Sequence, residues 1–175
     1  MSFMGTAATR PISVDVYLRS SYDPDCEYVD GEVVERIVGQ QPHSYAQTRA
    51  VVWLDRHASA KFTTYVEQRV RVAANRFRIP DVLLMAVPVP KDAVFAEAPY
   101  LCIEILSPDD RQSNLQDKVE DYLGLGVANI WVIDPFNRRA WTVTSAGWHA
   151  VSVEADLTTA DGFLAMPVKT VLQSD

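Results

Sequence analysis

Positive charge is what this sequence has least of for its size: 16 Lys and Arg stand against 23 Asp and Glu, a net charge of −7. A surface that holds phosphates throughout is normally basic, so the deficit argues against bulk electrostatic attachment to nucleic acid. It leaves room for a local basic groove, or for an acidic pocket that gathers cations. Cysteine is scarce as well. Cys26 and Cys102 form no CxxC pair and lie far apart, which removes a disulfide framework and a zinc site from consideration and leaves two small packing residues. Long apolar runs are missing: VLLMAV at 82–87 is among the longest, far below the ~20 residues of a membrane-spanning helix. The N-terminus shows no basic segment followed by an apolar one, so the expectation is a cytoplasmic protein without a membrane association. There is no internal repeat, low-complexity tract or long linker. The 175 residues, 48% hydrophobic and 22% charged, therefore read as one folded domain over 1–175. A chain of that length buries roughly two thirds of its unfolded surface in one core.

Periodicity supplies the elements. Val14, Tyr17 and Leu18 at helical spacing predict a short helix with Ser13 as its cap. Asp30-Gly31 between alternating runs predicts a hairpin across CEYVDGEVVERIV (26–38), since glycine takes positive φ without strain. A helix is expected from Pro42 to Ala60, on the apolar positions Tyr45, Ala46, Val52, Trp53 and Leu54. Strands are expected over 63–74, 78–86 and 100–106, with a turn at 75–77 and a proline-marked loop from Val87 to Pro90. Leu115, Val119, Tyr122 and Leu123 then form the stripe of a second helix, ended by Gly124 and Gly126. Ser113 with Gln116 fits a capping box at its start, and Ser107 with Asp110 is a competing start. A strand at 129–134 and a hairpin from 139–145 and 148–154 follow, while the tail after Asp156 carries no signal.

From His43 to Asp134 the order is helix, strand, strand, strand, helix, strand. The expected class is α/β (α+β): a mixed central sheet flanked by helices, with an added N-terminal helix and hairpin and a C-terminal hairpin. Trp131 and Trp141 are expected in the core, and His57 and His149 at the surface or satisfied.

Two of the expected strands carry one acid each. In YLCIEIL (100–106), alternation puts Glu104 on a face with Tyr100, Cys102 and Leu106. A carboxylate on that partly apolar side is costly unless a cation or donor meets it, and Asp81 in IPDVLLM (79–85) raises the same problem. Two carboxylates from neighbouring strands suit a hard divalent cation, because Mg2+ takes oxygen ligands, commonly one or two carboxylates with waters and phosphate oxygens.

The ordered set CEYVDGE (26–32), His43, IPDVLLM (79–85), IEILSP (103–108), Lys118, Tyr122 and IWVIDP (130–135) resembles the PD-(D/E)XK nuclease superfamily. More closely, it is similar to the large family of small bacterial proteins catalogued as "putative restriction endonucleases" of unknown biological role. The likeness covers about residues 13 to 154. "PD" and "ExL" alone carry no weight; the order, with IEILSP ahead of KxxxY, is specific. It implies a restriction-endonuclease-like core and a metal site in which Asp81 and Glu104 hold Mg2+ or Mn2+. The superfamily's lysine, two residues after the glutamate, is Leu106 here. The resemblance implies that it has moved to the following helix as Lys118. That residue lies three after Leu115 and four before Tyr122, bordering the apolar stripe, from where its long stem can carry an ammonium to the sheet. Glu32 and His43 are implied to line the site. Glu32 could ligate the metal or bridge to it through water, while His43 could supply a proton, bind a phosphate or act as a ligand.

Each residue also has a plainer reading. Asp81 fits a strand-edge acid, Glu104 a buried acid paired with an arginine, and Lys118 a helix flank paired with Asp117 or Asp121. Glu32 fits a polar residue after a turn and His43 an ordinary helix start. Arg69, Arg71, Arg76 and Arg78 read either as a basic strip along a phosphate backbone or as a solvated sheet face. The first functional reading is a divalent-metal-dependent endonuclease that hydrolyses DNA phosphodiester bonds. The second is a non-catalytic binding or assembly module that keeps the nuclease fold, and a third is a metal-dependent hydrolase of smaller phosphate esters. A homodimer is expected by analogy, because cutting both strands needs two sites.

Overall fold

The structure, a computed structural model, describes residues 11–36, 39–58, 60–108 and 112–172. The chain opens with helix α1 (Val14–Arg19), where Ser13 Oγ accepts from Val16 N at 3.3 Å, the expected cap. Strands β1 (Cys26–Val29) and β2 (Glu32–Glu35) form the expected hairpin. Gly31 turns it at φ +101°, and a Cβ there would meet Pro11 Cβ at 2.8 Å. Helix α2 (Gln41–Ala58) ends two residues before the expected Ala60. It buries Ala46, Ala50, Leu54 and Ala58, a stripe of mostly small residues that lets the helix lie close on the sheet. Val52 and Trp53, read from the sequence as part of that apolar face, are only half-buried.

The sequence expectation of single strands over 63–74 and 78–86 is corrected. The first run divides into β3 (Phe62–Val66) and β4 (Val70–Ala73), and the second becomes β5 (Arg76–Arg78) and β6 (Val82–Ala86). Glu67 turns the chain between β3 and β4 at φ +51°. Pro80, which has no N–H for a ladder, lies in the break between β5 and β6. Arg76 and Phe77, expected in a turn, are strand residues, and the turn is Ala74-Asn75. Through the second break residues 77–85 are buried without interruption, so nothing in the apolar pattern marks where the chain changes sheet.

Strand β7 (Leu101–Ile105), helix α3 (Gln112–Leu125), strand β8 (Asn129–Asp134) and the hairpin β9 (Arg139–Thr144) with β10 (Gly147–Val151) follow. Ser113 is the second residue of α3, and of the competing pair Ser107 and Asp110 the latter lies outside the described residues. Gly124 is the penultimate residue of α3, and Gly126, at φ +102°, is where the chain leaves it. The tail without a sequence signal folds into a small hairpin, β11 (Asp156–Thr158) with β12 (Ala165–Pro167), and a 3-10 turn at Val168–Thr170.

Two sheets result. The larger has the order β10-β9-β8-β7-β6-β3, with β7 and β8 parallel and the other neighbours antiparallel, which is the expected mixed sheet. One of its faces, with Val82, Leu84, Leu101, Ile103, Trp131 and Ile133, packs against α2 and the C-terminal hairpin. The other, with Leu83, Met85, Cys102, Ile130, Val132 and Val143, packs against α3 through Val119 and Tyr122. Covered on both sides, β8 reads as an unbroken apolar run. The smaller sheet, β2-β1-β5-β4, is antiparallel and has its own core of Tyr17, Tyr28 and Phe77. Trp131 is fully buried, whereas Trp141 is half-buried and only packs against the edge of the α3-side core. Among the described residues no helix is long and apolar enough to cross a membrane.

Candidate active site

Strand register brings the acids together. β6 and β7 run antiparallel with Val82 opposite Ile103, so one step further Asp81 falls opposite Glu104 on the face shared with Cys102 and Leu83. Directly opposed residues of such a pair have Cβ atoms roughly 4.5–5.5 Å apart. Asp81 has left the ladder, and its carboxylate reaches back across it: Oδ2 accepts from Ile105 N at 2.7 Å. Arg36 Nη2 donates to Oδ1 at 2.7 Å, and His43 Nε2 lies 3.5 Å from Oδ2. Gln47 from α2 holds the main chain here, its Nε2 donating to Asp81 O at 3.0 Å.

Glu104 is met from α3. Lys118 and Tyr122, one helical turn apart, approach its two oxygens, Nζ to Oε2 at 3.2 Å and Oη to Oε1 at 2.5 Å. Lys118 is shared with a third acid, Glu27 on β1, at 3.2 Å from Oε1. Glu27 is 1% exposed and also accepts from Ile79 N at 3.1 Å and Arg78 Nη1 at 3.0 Å. Arg78 continues to Asp121 on α3 at 2.7 Å, and Arg76 joins Asp121 at 2.9 Å to Asp30. The smaller sheet is thereby tied by ion pairs to the helix that carries Lys118.

Glu32, His43, Asp81, Glu104 and Lys118, all singled out in the sequence, line one cavity of about 180 Å³ together with Glu27 and Arg36. Glu32 is exposed at its rim, and His43 is buried at the first turn of α2. His43 lies against the Gly39 backbone so closely that a Cβ on Gly39 would come within 2.7 Å of Nδ1. Glu104 is paired with a lysine and a tyrosine rather than with an arginine, and Asp121 pairs with Arg76 and Arg78 rather than with Lys118. The four arginines do not make one open strip, although Arg71 is exposed. Arg69 pairs with Asp25, Arg71 donates to Ala74 O, and Arg78 is 4% exposed inside the network just described.

The charges in this cavity do not balance. Six carboxylates line it (Glu27, Glu32, Glu35, Asp81, Glu104, Asp117) against three permanent cations, Arg36, Arg78 and Lys118. For Asp81, burial opposes ionisation, but the hydrogen bond from His43 and the charges of Arg36 and Lys118 outweigh it and hold the carboxyl below its usual value. For Glu104, burial wins, helped by Asp81 and Glu27, and its pKa is pushed from 4.5 up to about 7 despite Lys118 and Tyr122. Lys118 is driven the other way from what burial alone would give. Glu104, Glu27 and Asp81 raise it, so the ammonium stays protonated at neutral pH. The donor set fits a hard divalent cation: the carboxylate oxygens of Asp81 and Glu104 have lone pairs beyond those their protein donors use, and the surplus negative charge is the kind a cation discharges. Among the described residues no three His, Cys, Asp or Glu side chains converge into a preformed cage.

Glu27, Arg36, Arg78 and Asp121 were not picked out from the sequence as site residues. No spacing rule links positions 27, 78 and 118; only the approach of the smaller sheet to α3 does.

A mixed sheet between helices, with acids at adjacent strand ends and a lysine delivered from the next helix, defines a restriction-endonuclease-like α+β protein. The chain belongs to the Uma2 family, described as "Putative restriction endonuclease", whose sequence model matches residues 14–172. Its fold is shared with a solved structure from Anabaena variabilis ATCC 29413, titled a putative nuclease belonging to DUF820. The two superpose with a TM-score of 0.82 at 22% identity, over 92% of this chain and 97% of the other. No protein of curated function matches the chain.

Proposed function

We propose that the protein is a divalent-metal-dependent endonuclease acting on DNA, with Asp81 and Glu104 as ligands of Mg2+ or Mn2+ and Lys118 completing the site. One observation carries the reading: two buried acids and a lysine from three elements face one cavity whose carboxylates outnumber its cations. Bound there, the metal would lower the pKa of a coordinated water and neutralise charge growing on the phosphate. Lys118, held protonated by three acids, supplies a charged donor to a phosphate oxygen or to the attacking water and not a general base. Tyr122 fixes Glu104 Oε1, so that carboxylate presents a set orientation. His43, buried against Asp81, is placed to orient that acid, and Glu32 at the rim can reach the metal through water.

Arg36 favours the second reading, a non-catalytic module, because it already supplies Asp81 with a counter-charge at 2.7 Å. Two measurements separate the readings. Supercoiled plasmid with Mg2+ or Mn2+ should be nicked by the wild type and left intact by Asp81→Ala and Glu104→Ala. Equal nicking by all three points to a contaminant and removes the support for the endonuclease. Calorimetric titration with Mn2+ should give heat that both variants lose, and a silent wild type leaves the module.

A further inference from the structure

Beside the acidic cavity lies a larger and more apolar one of about 850 Å³, and Ser107 lines both. Its walls are Leu106 after β7, Leu115 from α3, Phe136 in the β8–β9 turn, Trp141 and Arg139 on β9, and Trp148 on β10. Register explains the aromatic side. Trp148 is opposite Val143 and Ala150 opposite Trp141, so the two tryptophans are diagonal neighbours on one face of the hairpin, with Val143 buried beneath them in the α3-side core. Trp148 is 42% exposed and Trp141 half-buried, which is unusual for side chains that would each gain by burial. Arg139 is exposed and makes no ion pair with any described residue. The turn itself needs nothing from a ligand, because Asp134 already accepts from Phe136 N, Asn137 N and Asn137 Nδ2 at 2.8–3.1 Å.

A cavity of this size is in the range of small-molecule sites, and its aromatic wall, with the exposed Arg139 beside it and the acidic cleft next door, narrows the occupant. We infer that it is a base-binding subsite: an unstacked nucleobase of the strand whose phosphodiester occupies the acidic cavity seats against Trp148 and Trp141, with Arg139 on an adjacent phosphate. The inference rests on the endonuclease reading and adds its substrate class. A paired base inside a duplex offers no free face to an indole, so the favoured substrate has an unpaired nucleotide beside the scissile bond: a single strand, a flap or a frayed end. Stacking on aromatic side chains is tolerant of base identity.

The test uses the full chain with Ca2+ and two single-stranded oligodeoxynucleotides, alike except that one has 2-aminopurine and the other an abasic residue at the central position. Expected are quenching of the 2-aminopurine on binding, about tenfold weaker binding of that strand by Trp148→Ala, and near-normal binding by Trp148→Phe, with circular dichroism confirming that both variants fold. The abasic strand should bind the wild type as weakly as the base-bearing strand binds Trp148→Ala. Equal wild-type affinity for the two strands, or an unchanged Trp148→Ala, overturns the subsite and leaves the endonuclease standing. A wild type that binds neither strand also overturns the subsite, and the endonuclease is then decided by plasmid nicking alone.

Discussion

Glu104→Gln removes one charge from the candidate site and keeps the shape of the side chain. In the metal-free protein Glu104 has a pKa of about 7 where an unburied glutamate has 4.5, chiefly through burial. The folded state therefore holds this proton longer than the unfolded chain does. Stability from this group is complete below about pH 4.5, falls as pH rises towards 7, and is constant above. At about 1.4 kcal/mol per pH unit, ionised Glu104 costs the fold about 3 kcal/mol at pH 8. Glutamine does not carry that cost. It introduces another, since its amide nitrogen must face either the Lys118 ammonium or the Tyr122 hydroxyl, a lost hydrogen bond of about 1 kcal/mol. Lys118 is not stranded, because Glu27 remains 3.2 Å away, so the usual large penalty for halving a buried pair does not apply. The net gain is about 2 kcal/mol at pH 8, a rise in Tm of roughly 4–8 °C for a chain of this length. At pH 5 the gain vanishes. Differential scanning calorimetry in EDTA at both pH values measures it. A lower Tm for Glu104→Gln at pH 8, or the same change at pH 5 and pH 8, refutes the view that the cavity stores uncompensated negative charge.

The same proton sets the direction of metal linkage: Mg2+ should raise Tm more at pH 8 than at pH 6, where it must first displace the proton of Glu104, and equal shifts contradict the assignment. Arg78→Met takes one partner each from Glu27, which keeps Lys118 and Ile79 N, and from Asp121, which keeps Arg76, and should lower stability by about 1–3 kcal/mol, read as a fall in the urea midpoint; a loss under about 1 kcal/mol would show the network to be ornamental. Gly39→Ala puts a Cβ within 2.7 Å of His43 Nδ1, so the ring must leave its place beside Asp81. The His43 imidazole resonances should move in NMR spectra and plasmid nicking should fall, and unmoved resonances would contradict the close approach.

Much of this was legible in the sequence. Glu104 could be assigned to a face by alternation alone, and Lys118 by its place next to Leu115 and Tyr122. The mixed sheet between helices was readable from the order of periods. What escaped is what depends on one layer meeting another. Glu27 looks like any strand acid until β1 comes to rest beside α3, and the arginines at 69–78 look like an open basic surface until Asp25, Asp30, Asp121 and Glu27 arrive from elsewhere in the chain. The tail beyond Asp156 gave no signal because its strands are three residues each, too short for a period to register.

The two breaks at Glu67 and Pro80 mean that residues 62–86 leave the larger sheet, build half of the smaller one and return. Both banks of the acidic cleft are thus stitched by a single continuous thread, and Asp81 is its last stitch. Swinging the smaller sheet away from α3 would turn the chain at both breaks and pull Arg78 from Asp121 and Glu27 from Lys118. Opening the cleft is thus a matter of parting charges, not of unpicking strands.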